Sequence, residues 1–183
     1  MTATLPEPGS PVTYRIALVC LGNICRSPMA HVVLASRVEE AGLADRVRVE
    51  SFGTGDWHVG RPMDPRAAAV LTTEGYDATR HRARTFGVRE ADAFDLVLAM
   101  DRANHEDLVD LGVDASRLRL FRSFDPDVDL AVDSGVDPGG EGAGADVPDP
   151  YYGDDDGFDE VLTIVERTSA RLVDLLERQT SPA

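Results

Sequence analysis

Short apolar runs alternate with helical segments along this chain, and the alternation leaves few folds open to it. Runs typical of buried strands cover residues 14–20, 47–51, 95–100 and 118–121. Helical patterns follow them over residues 27–41, 65–74, 102–111 and 158–178, with Ser27 as the predicted N-cap of the first helix. Strands that alternate with helices form a parallel sheet covered on both faces. The sequence therefore predicts an α/β fold, a three-layer sandwich with a central four-stranded parallel sheet and helices on both faces.

Length and composition indicate one domain. The chain has 183 residues, of which 43% are hydrophobic, which suits a single packed core. Residues 1–12 are rich in Pro, Thr and Gly and have no basic residue, so we expect a disordered N-terminal tail rather than a signal peptide. Residues 13–180 form the predicted domain. Within it, residues 125–146 are mostly Asp, Gly, Ala and Pro, which predicts a flexible acidic surface loop.

Charge and cysteine content argue against several classes of partner. A net charge of −15 disfavours binding to nucleic acid or to an anionic membrane. No apolar run reaches the roughly 18 residues that a membrane-spanning helix needs. The two cysteines, Cys20 and Cys25, are too few for a disulfide framework, so we expect a protein of the reducing cytoplasm. We also expect a monomer.

The acidic run has the beginnings of a calcium motif. Asp125, Asp127 and Asp129 are spaced like the start of an EF-hand loop, but Leu130 stands where glycine is required and no glutamate ends the loop. The segment 139–142, Gly-Gly-Glu-Gly, lacks the aspartate and the repetition of a calcium-binding turn. We therefore expect a solvated acidic loop, with no metal site and no cofactor.

The residues with the clearest chemical potential are CLGNICRSP, at positions 20–28, just after the first predicted strand. Ligands of parallel sheets bind beyond the carboxyl ends of the strands. Gly22 and Asn23 tolerate left-handed backbone, so the turn can direct several N–H groups into one anion-binding concavity. The helix that follows adds the positive end of its dipole, and Arg26 adds a fork that fits two phosphate oxygens. Such a field favours a thiolate, which predicts Cys20 as a nucleophile toward phosphorus.

Together with later blocks, this segment resembles a known family. CLGNICRSPMA, residues 20–30, closely resembles the phosphate-binding loop of the low-molecular-weight protein-tyrosine phosphatases. Further matching blocks follow in the family's order: SFGTGDWHVGRPMDPRA at 51–67, with Phe52 where a small residue is usual, HRAR at 81–84, MD at 100–101 and DPYYGDD at 149–155. The resemblance extends from about residue 14 to the last predicted helix.

The resemblance implies that the protein hydrolyses phosphotyrosine in protein substrates, without a metal, through a phosphocysteine intermediate. Cys20 would attack the phosphorus and Arg26 would bind the phosphate, while Asp149 would protonate the leaving phenolate and then activate water. Around the phosphate we expect the loop residues Leu21, Gly22, Asn23, Ile24 and Cys25. Trp57, Tyr151 and Tyr152 are candidate aromatic walls for the phenol ring.

Supporting roles follow from the same resemblance. Asn23, Ser27 and His81 would keep the loop in shape, and the Ser27 hydroxyl would also contact the Cys20 sulfur. Asp101 has two open roles, since it is placed either to orient Arg26 or to cap the helix that follows it.

Several alternatives share these residues. An arsenate reductase relays oxidation to additional cysteines, and the chain has only Cys20 and Cys25. A non-catalytic phosphate-binding module would need neither Cys20 nor Asp149. A phosphoarginine phosphatase stays open, although paired tyrosines favour a flat aryl ring. Cys25 is either a small buried apolar residue or the partner of an oxidised Cys20 in a protective disulfide. The acidic loop, which precedes Asp149, is expected to gate the pocket.

Overall fold

One parallel sheet organises the protein. The computed structural model describes residues 4–9, 13–128 and 144–180. Its strands are β1 (Tyr14–Cys20), β2 (Val47–Gly53), β3 (Leu96–Ala99) and β4 (Leu118–Leu120), and they lie in the order β2-β1-β3-β4 with every pairing parallel. The predicted four-stranded α/β fold is therefore confirmed.

Helices cover both faces of the sheet. They are α1 (Arg26–Glu40), α2 (Pro65–Thr73), α3 (Val88–Ala91), α4 (Arg102–Asp110) and α5 (Asp156–Thr180), and a 3₁₀ turn spans Phe121–Phe124. Helices α1, α2 and α5 pack on one face, whereas α3 and α4 pack on the other. Within the described ranges, no helix has both the length and the apolar character needed to span a lipid bilayer.

Strand β1 occupies the centre of the sheet and is buried on both sides. Ile16, Leu18 and Cys20 face the cluster that contains α1 and α5, while Ala17 and Val19 face the cluster that contains α4. This alternation follows from the two-residue period of a strand. Because β1 is flanked by β2 and β3, its last residue, Cys20, lies in the middle of the carboxyl edge.

The structure differs from the sequence predictions at several element ends. Strand β2 is two residues longer than expected, because Phe52 pairs with Val19 and Gly53 pairs with Cys20. The one-turn helix α3 was not anticipated, since four residues are too few to show a helical period. The prediction of Ser27 as an N-cap is wrong: α1 begins at Arg26, and the Ser27 hydroxyl has other partners, given below.

The described residues near the N-terminus and at the start of the acidic segment contact the domain. The Pro6 carbonyl accepts hydrogen bonds from Tyr14 (3.2 Å) and Gln179 (2.9 Å), and Leu5 packs on the core. At the start of the acidic segment, Asp125 is buried and bonded to Arg167 at 2.6 and 2.7 Å. The predicted gate falls mostly on residues 129–143, which lie outside the described residues.

Candidate active site

The phosphate loop, residues 20–26, joins β1 to α1 and curls around the sulfur of Cys20. The sulfur lies 3.0 Å from the Ser27 hydroxyl and accepts a hydrogen bond from the Asn23 backbone N–H at 3.3 Å. Asn23 has φ of 54°, the left-handed conformation that the sequence suggested for this turn. A buried thiol at the end of a central strand is thus enclosed by the turn that follows it.

The carbonyl groups of the loop are directed outward by bonds to neighbouring segments. Five of them accept hydrogen bonds from outside the loop: Cys20 from Thr54 N, Leu21 from Gly55 N, Asn23 from His81 Nε2, Ile24 from Asp64 N, and Cys25 from Met29 N, at 2.7–3.1 Å. In a trans peptide the N–H points opposite to the C=O of the same unit. The N–H groups that follow these carbonyls therefore face the concave side, which is the arrangement of an anion-binding nest.

Asn23 and its neighbours brace this shape. The Asn23 amide donates to the Ser27 hydroxyl at 2.9 Å, and its carbonyl oxygen accepts from the Arg84 backbone N–H at 2.8 Å. Ser27 in turn donates to the Phe52 carbonyl at 3.1 Å. Burial lowers the pKa of His81, and a neutral imidazole with its proton on Nε2 still donates to the Asn23 carbonyl. All three supporting residues expected from the resemblance thus converge on the loop.

Gly53 allows β2 to approach the loop closely. A Cβ at this position would lie 2.8 Å from the Leu21 carbonyl oxygen and 3.1 Å from the Asn23 nitrogen. Such distances require the backbone to shift, so glycine is the residue that fits here. The close approach also places the N–H groups of Thr54 and Gly55 within reach of the loop carbonyls.

Arg26 lies at the first position of α1 and is almost fully buried. Its guanidinium donates from Nη1 to Asp101 at 2.5 Å and from Nη2 to Asp149 at 2.7 Å, with a further bond to the Val147 carbonyl at 3.3 Å. Burial opposes the charge of Arg26, but the negative groups around it, with Cys20 and Asp149 foremost, raise its pKa. Asp101 fills both roles left open by the sequence, because its other oxygen accepts from the Asn104 N–H at 2.7 Å and caps α4.

The acid loop, residues 147–153, faces the phosphate loop across Arg26. Val147 continues from the sheet edge, with its N–H bonded to the Met100 carbonyl at 2.7 Å. Asp149 follows, with one oxygen on Arg26 and the other accepting the Tyr151 N–H at 3.1 Å. The side chain of Asp149 is 38% exposed, so it borders the pocket and reaches solvent.

A cavity of about 70 Å³ opens above the sulfur. Its lining residues are Cys20, Leu21, Gly22, Ile24, Cys25, Arg26, Trp57, His58, Asp149, Tyr151 and Tyr152. Tyr151 and Tyr152 meet edge to face with ring centres 4.9 Å apart, but Tyr152 is 92% exposed and stands at the mouth. Trp57 lies over Gly55, which leaves no room there for a Cβ. Every residue expected to bind or transform the substrate lines this cavity except Asn23, which lies beneath it.

Two features of the site were not anticipated. His58 lines the cavity beside Trp57, with ring centres 6.0 Å apart, and only its place next to a candidate wall residue hinted at this. Asp64 and Arg66 connect the phosphate loop to the acid loop through hydrogen bonds to both.

Cys25 is a free thiol like Cys20. Burial raises the pKa of Cys25, and the negative charges of Asp64 and Cys20 raise it further.

Comparison of the chain with known proteins shows the family to which it belongs. Residues 15–181 match the model of a family described as low molecular weight phosphotyrosine protein phosphatase. The chain belongs to that family. It is 44% identical over 171 residues to a low molecular weight protein-tyrosine-phosphatase of Streptomyces coelicolor, an alignment that covers 92% of this chain and 96% of the relative. It is also 44% identical over 164 residues to low molecular weight protein-tyrosine phosphatase A of Mycobacterium tuberculosis, covering 90% and 92% of the two chains.

Solved structures agree with the assignment. The crystal structure of YfkJ from Bacillus subtilis superposes with a TM-score of 0.80 at 30% identity, covering 94% of this chain and 99% of that one. A protein tyrosine phosphatase from Entamoeba histolytica gives a TM-score of 0.79 at 28% identity, covering 92% and 100%. The family resemblance stated from the motifs, the fold and membership in a family of cysteine-dependent protein-tyrosine phosphatases are therefore confirmed.

Proposed function

We propose that this low molecular weight phosphatase hydrolyses phosphotyrosine in proteins through a phosphocysteine at Cys20, without a metal. The observation that carries the proposal is the placement of one buried sulfur between the turned-in N–H groups of the phosphate loop and the Arg26 guanidinium. Phosphoryl transfer depends chiefly on positioning and on balancing the charge of the transferred group. Here the chain's own N–H groups and Arg26 supply that positive charge.

In the first step the Cys20 sulfur attacks phosphorus, and the bond from phosphorus to the phenolic oxygen breaks. Asp149 gives its proton to that oxygen, because phenolate leaves slowly at neutral pH without one. In the second step Asp149 takes a proton from water as the water attacks phosphorus. The sulfur–phosphorus bond breaks in this step, which releases inorganic phosphate and regenerates the Cys20 thiolate.

The bond between Arg26 and Asp149 bears on how one aspartate can serve in both steps. Asp149 is bonded to Arg26 at 2.7 Å. A phosphate group that takes the Arg26 fork displaces this carboxylate. Binding of the substrate therefore frees Asp149 to face the leaving oxygen.

The cavity supports an aryl substrate. Tyr151 and Trp57 border it, and a ring between aromatic side chains is stabilised by stacking or edge contacts. The two free thiols support action in a reducing compartment, for which we propose the cytoplasm, and we propose a monomer as the acting species.

The test is hydrolysis of an aryl phosphate in the presence of a metal chelator. We expect near-total loss of turnover for Cys20→Ser and a large loss for Asp149→Ala with substrate binding retained. Asp154→Ala, an exposed aspartate just beyond the acid loop, is the matched control and should turn over like the wild type. Phosphoarginine and arsenate are offered in parallel. Faster turnover of either, or full activity in Cys20→Ser, would contradict the proposal.

A further inference from the structure

We propose that Arg66 is a positioning residue that fixes the acid loop, so that Asp149 stays placed for proton transfer after the phosphate has taken Arg26. The inference deepens the proposed function and depends on it. Arg66 lies in the first turn of α2, and its side chain reaches between the phosphate loop and the acid loop. Its side chain is not part of the cavity lining but donates to backbone carbonyl groups of the acid loop.

Arg66 holds the acid loop at two carbonyl groups. Its Nη2 donates to the Tyr151 carbonyl at 3.1 Å, and its Nη1 donates to the Gly153 carbonyl at 3.4 Å. The N–H of the same Tyr151 donates to Asp149 at 3.1 Å. Tyr151 therefore accepts a hydrogen bond from Arg66 at its carbonyl and donates one to Asp149 from its N–H. A shift of that residue moves the carboxyl group.

Asp64 anchors Arg66 to the phosphate loop. The Asp64 carboxylate accepts from Arg66 Nε at 3.1 Å and from Nη2 at 3.1 Å, the paired geometry that suits a guanidinium. The N–H of Asp64 donates to the Ile24 carbonyl in the phosphate loop at 2.8 Å. A chain of hydrogen bonds thus runs from Ile24 through Asp64 and Arg66 to Tyr151.

The Arg66 guanidinium also stacks on the aromatic ring of Phe158. Its carbon lies 4.6 Å from the centre of the Phe158 ring, and Phe158 is fully buried at the start of α5. The stacking on Phe158 and the pairing with Asp64 together orient the Arg66 guanidinium. Lysine carries the same charge but has neither the fork nor the planar face, so it cannot reproduce these contacts.

A second anchor is needed because the first one is given up during the reaction. Asp149 is held by Arg26, and the incoming phosphate displaces that bond. The bonds of Arg66 go to backbone carbonyls that the substrate does not use. They remain when Arg26 turns to the phosphate, and misplacement of a reacting group by about 1 Å can cost roughly a hundredfold in rate.

The test compares two substrates with the same phosphate and different leaving groups. Phenyl phosphate needs a proton on its leaving oxygen, whereas dinitrophenyl phosphate releases a stable phenolate without one. Because Asp149 also serves in the second step, which both substrates share, the comparison uses kcat/KM, which reports the first step alone. For Arg66→Ala we expect kcat/KM to fall about tenfold or more with phenyl phosphate and to stay within about twofold with dinitrophenyl phosphate. Arg66→Lys should show the same selective loss. Asp64→Asn keeps a helix-capping residue but weakens the pairing, so we expect a smaller selective loss.

Arg80→Ala is the matched control, because Arg80 is a surface arginine, 91% exposed, whose ion pair with Asp77 lies apart from the site. The ratio of its kcat/KM values for the two substrates should equal that of the wild type. An unchanged ratio of kcat/KM values in Arg66→Ala and Arg66→Lys would overturn the inference, whether both values fell together or neither fell. If Arg66→Ala fails to fold, Arg66→Lys and Asp64→Asn decide. A wild type that hydrolyses neither aryl phosphate would instead refute the proposed function.

Discussion

Replacement of Asn23 tests how the phosphate loop keeps its shape. Asn23 is 1% exposed and has φ of 54°. Its side chain makes two hydrogen bonds, a donation to Ser27 at 2.9 Å and an acceptance from the Arg84 N–H at 2.8 Å. Asn23→Ala removes both bonds and places a residue in the left-handed region that alanine disfavours. We expect the loop to relax and both stability and activity to fall.

The size of the effect follows from these contacts. Each lost hydrogen bond costs about 1 kcal/mol. The left-handed conformation costs alanine about 1–2 kcal/mol, and asparagine somewhat less. The free energy of unfolding should therefore drop by about 3 kcal/mol. Asn23→Gly loses the same bonds without the strain, but its unfolded chain gains about 0.4–1 kcal/mol of entropy. We expect Asn23→Gly to be more stable than Asn23→Ala by roughly 0.5–1 kcal/mol.

Urea unfolding of the wild type and the two variants measures these differences. Inhibition of aryl phosphate hydrolysis by inorganic phosphate should weaken in both variants, because the N–H groups of the loop are no longer held in one direction. A stability loss below about 1 kcal/mol for Asn23→Ala would refute the role of its side-chain bonds. Asn23→Gly less stable than Asn23→Ala would refute the backbone part of the reasoning.

Three shorter predictions concern the scaffold. Burial lowers the pKa of His31 to about 4. Its contribution to the free energy of unfolding is therefore complete above the unfolded pKa of 6.5 and falls by up to roughly 3 kcal/mol toward pH 4. His31→Gln should reduce this dependence of the unfolding free energy on pH in urea melts, and an equal dependence would contradict the prediction. Asp125→Ala removes the buried carboxylate that pairs with Arg167 and Arg122 and leaves Arg167 its ion pair with Asp127, so it should cost about 2 kcal/mol in the same melts; a loss under about 1 kcal/mol would contradict this. Gly53→Ala should raise the inhibition constant of phosphate by about tenfold, because its Cβ displaces Leu21, whereas an unchanged constant would show that the loop tolerates it.

The sheet and the left-handed turn of the phosphate loop were predictable from local signals. Apolar runs marked β1 and β3, and the glycines after α1, α2 and α4 adopt positive φ where those helices end. The motifs also indicated that Cys20, Arg26 and Asp149 belong to one site, and all three line the same cavity. These signals work because each depends on neighbouring residues alone or on a short block of sequence.

The features that the sequence did not reveal depend on contacts between residues that are far apart in the chain. Ser27 looks like an N-cap by its position before proline, but its hydroxyl is bonded to Asn23, Phe52 and the Cys20 sulfur, which come together only in the folded chain. Arg66 was one of many arginines until α2 placed it beside Tyr151, 85 residues away in sequence. The packing of Leu5 likewise depends on contacts that no local pattern encodes.

The most direct measurement is acid quenching of an aryl phosphate reaction during turnover, with chelator present, followed by mass mapping of the peptides. We predict one phosphoryl group on the peptide that contains residues 20–26, and none on that peptide in Cys20→Ser. A phosphoryl group attached to any other residue would contradict the account. Undiminished turnover with an unmodified Cys20 throughout would contradict it equally.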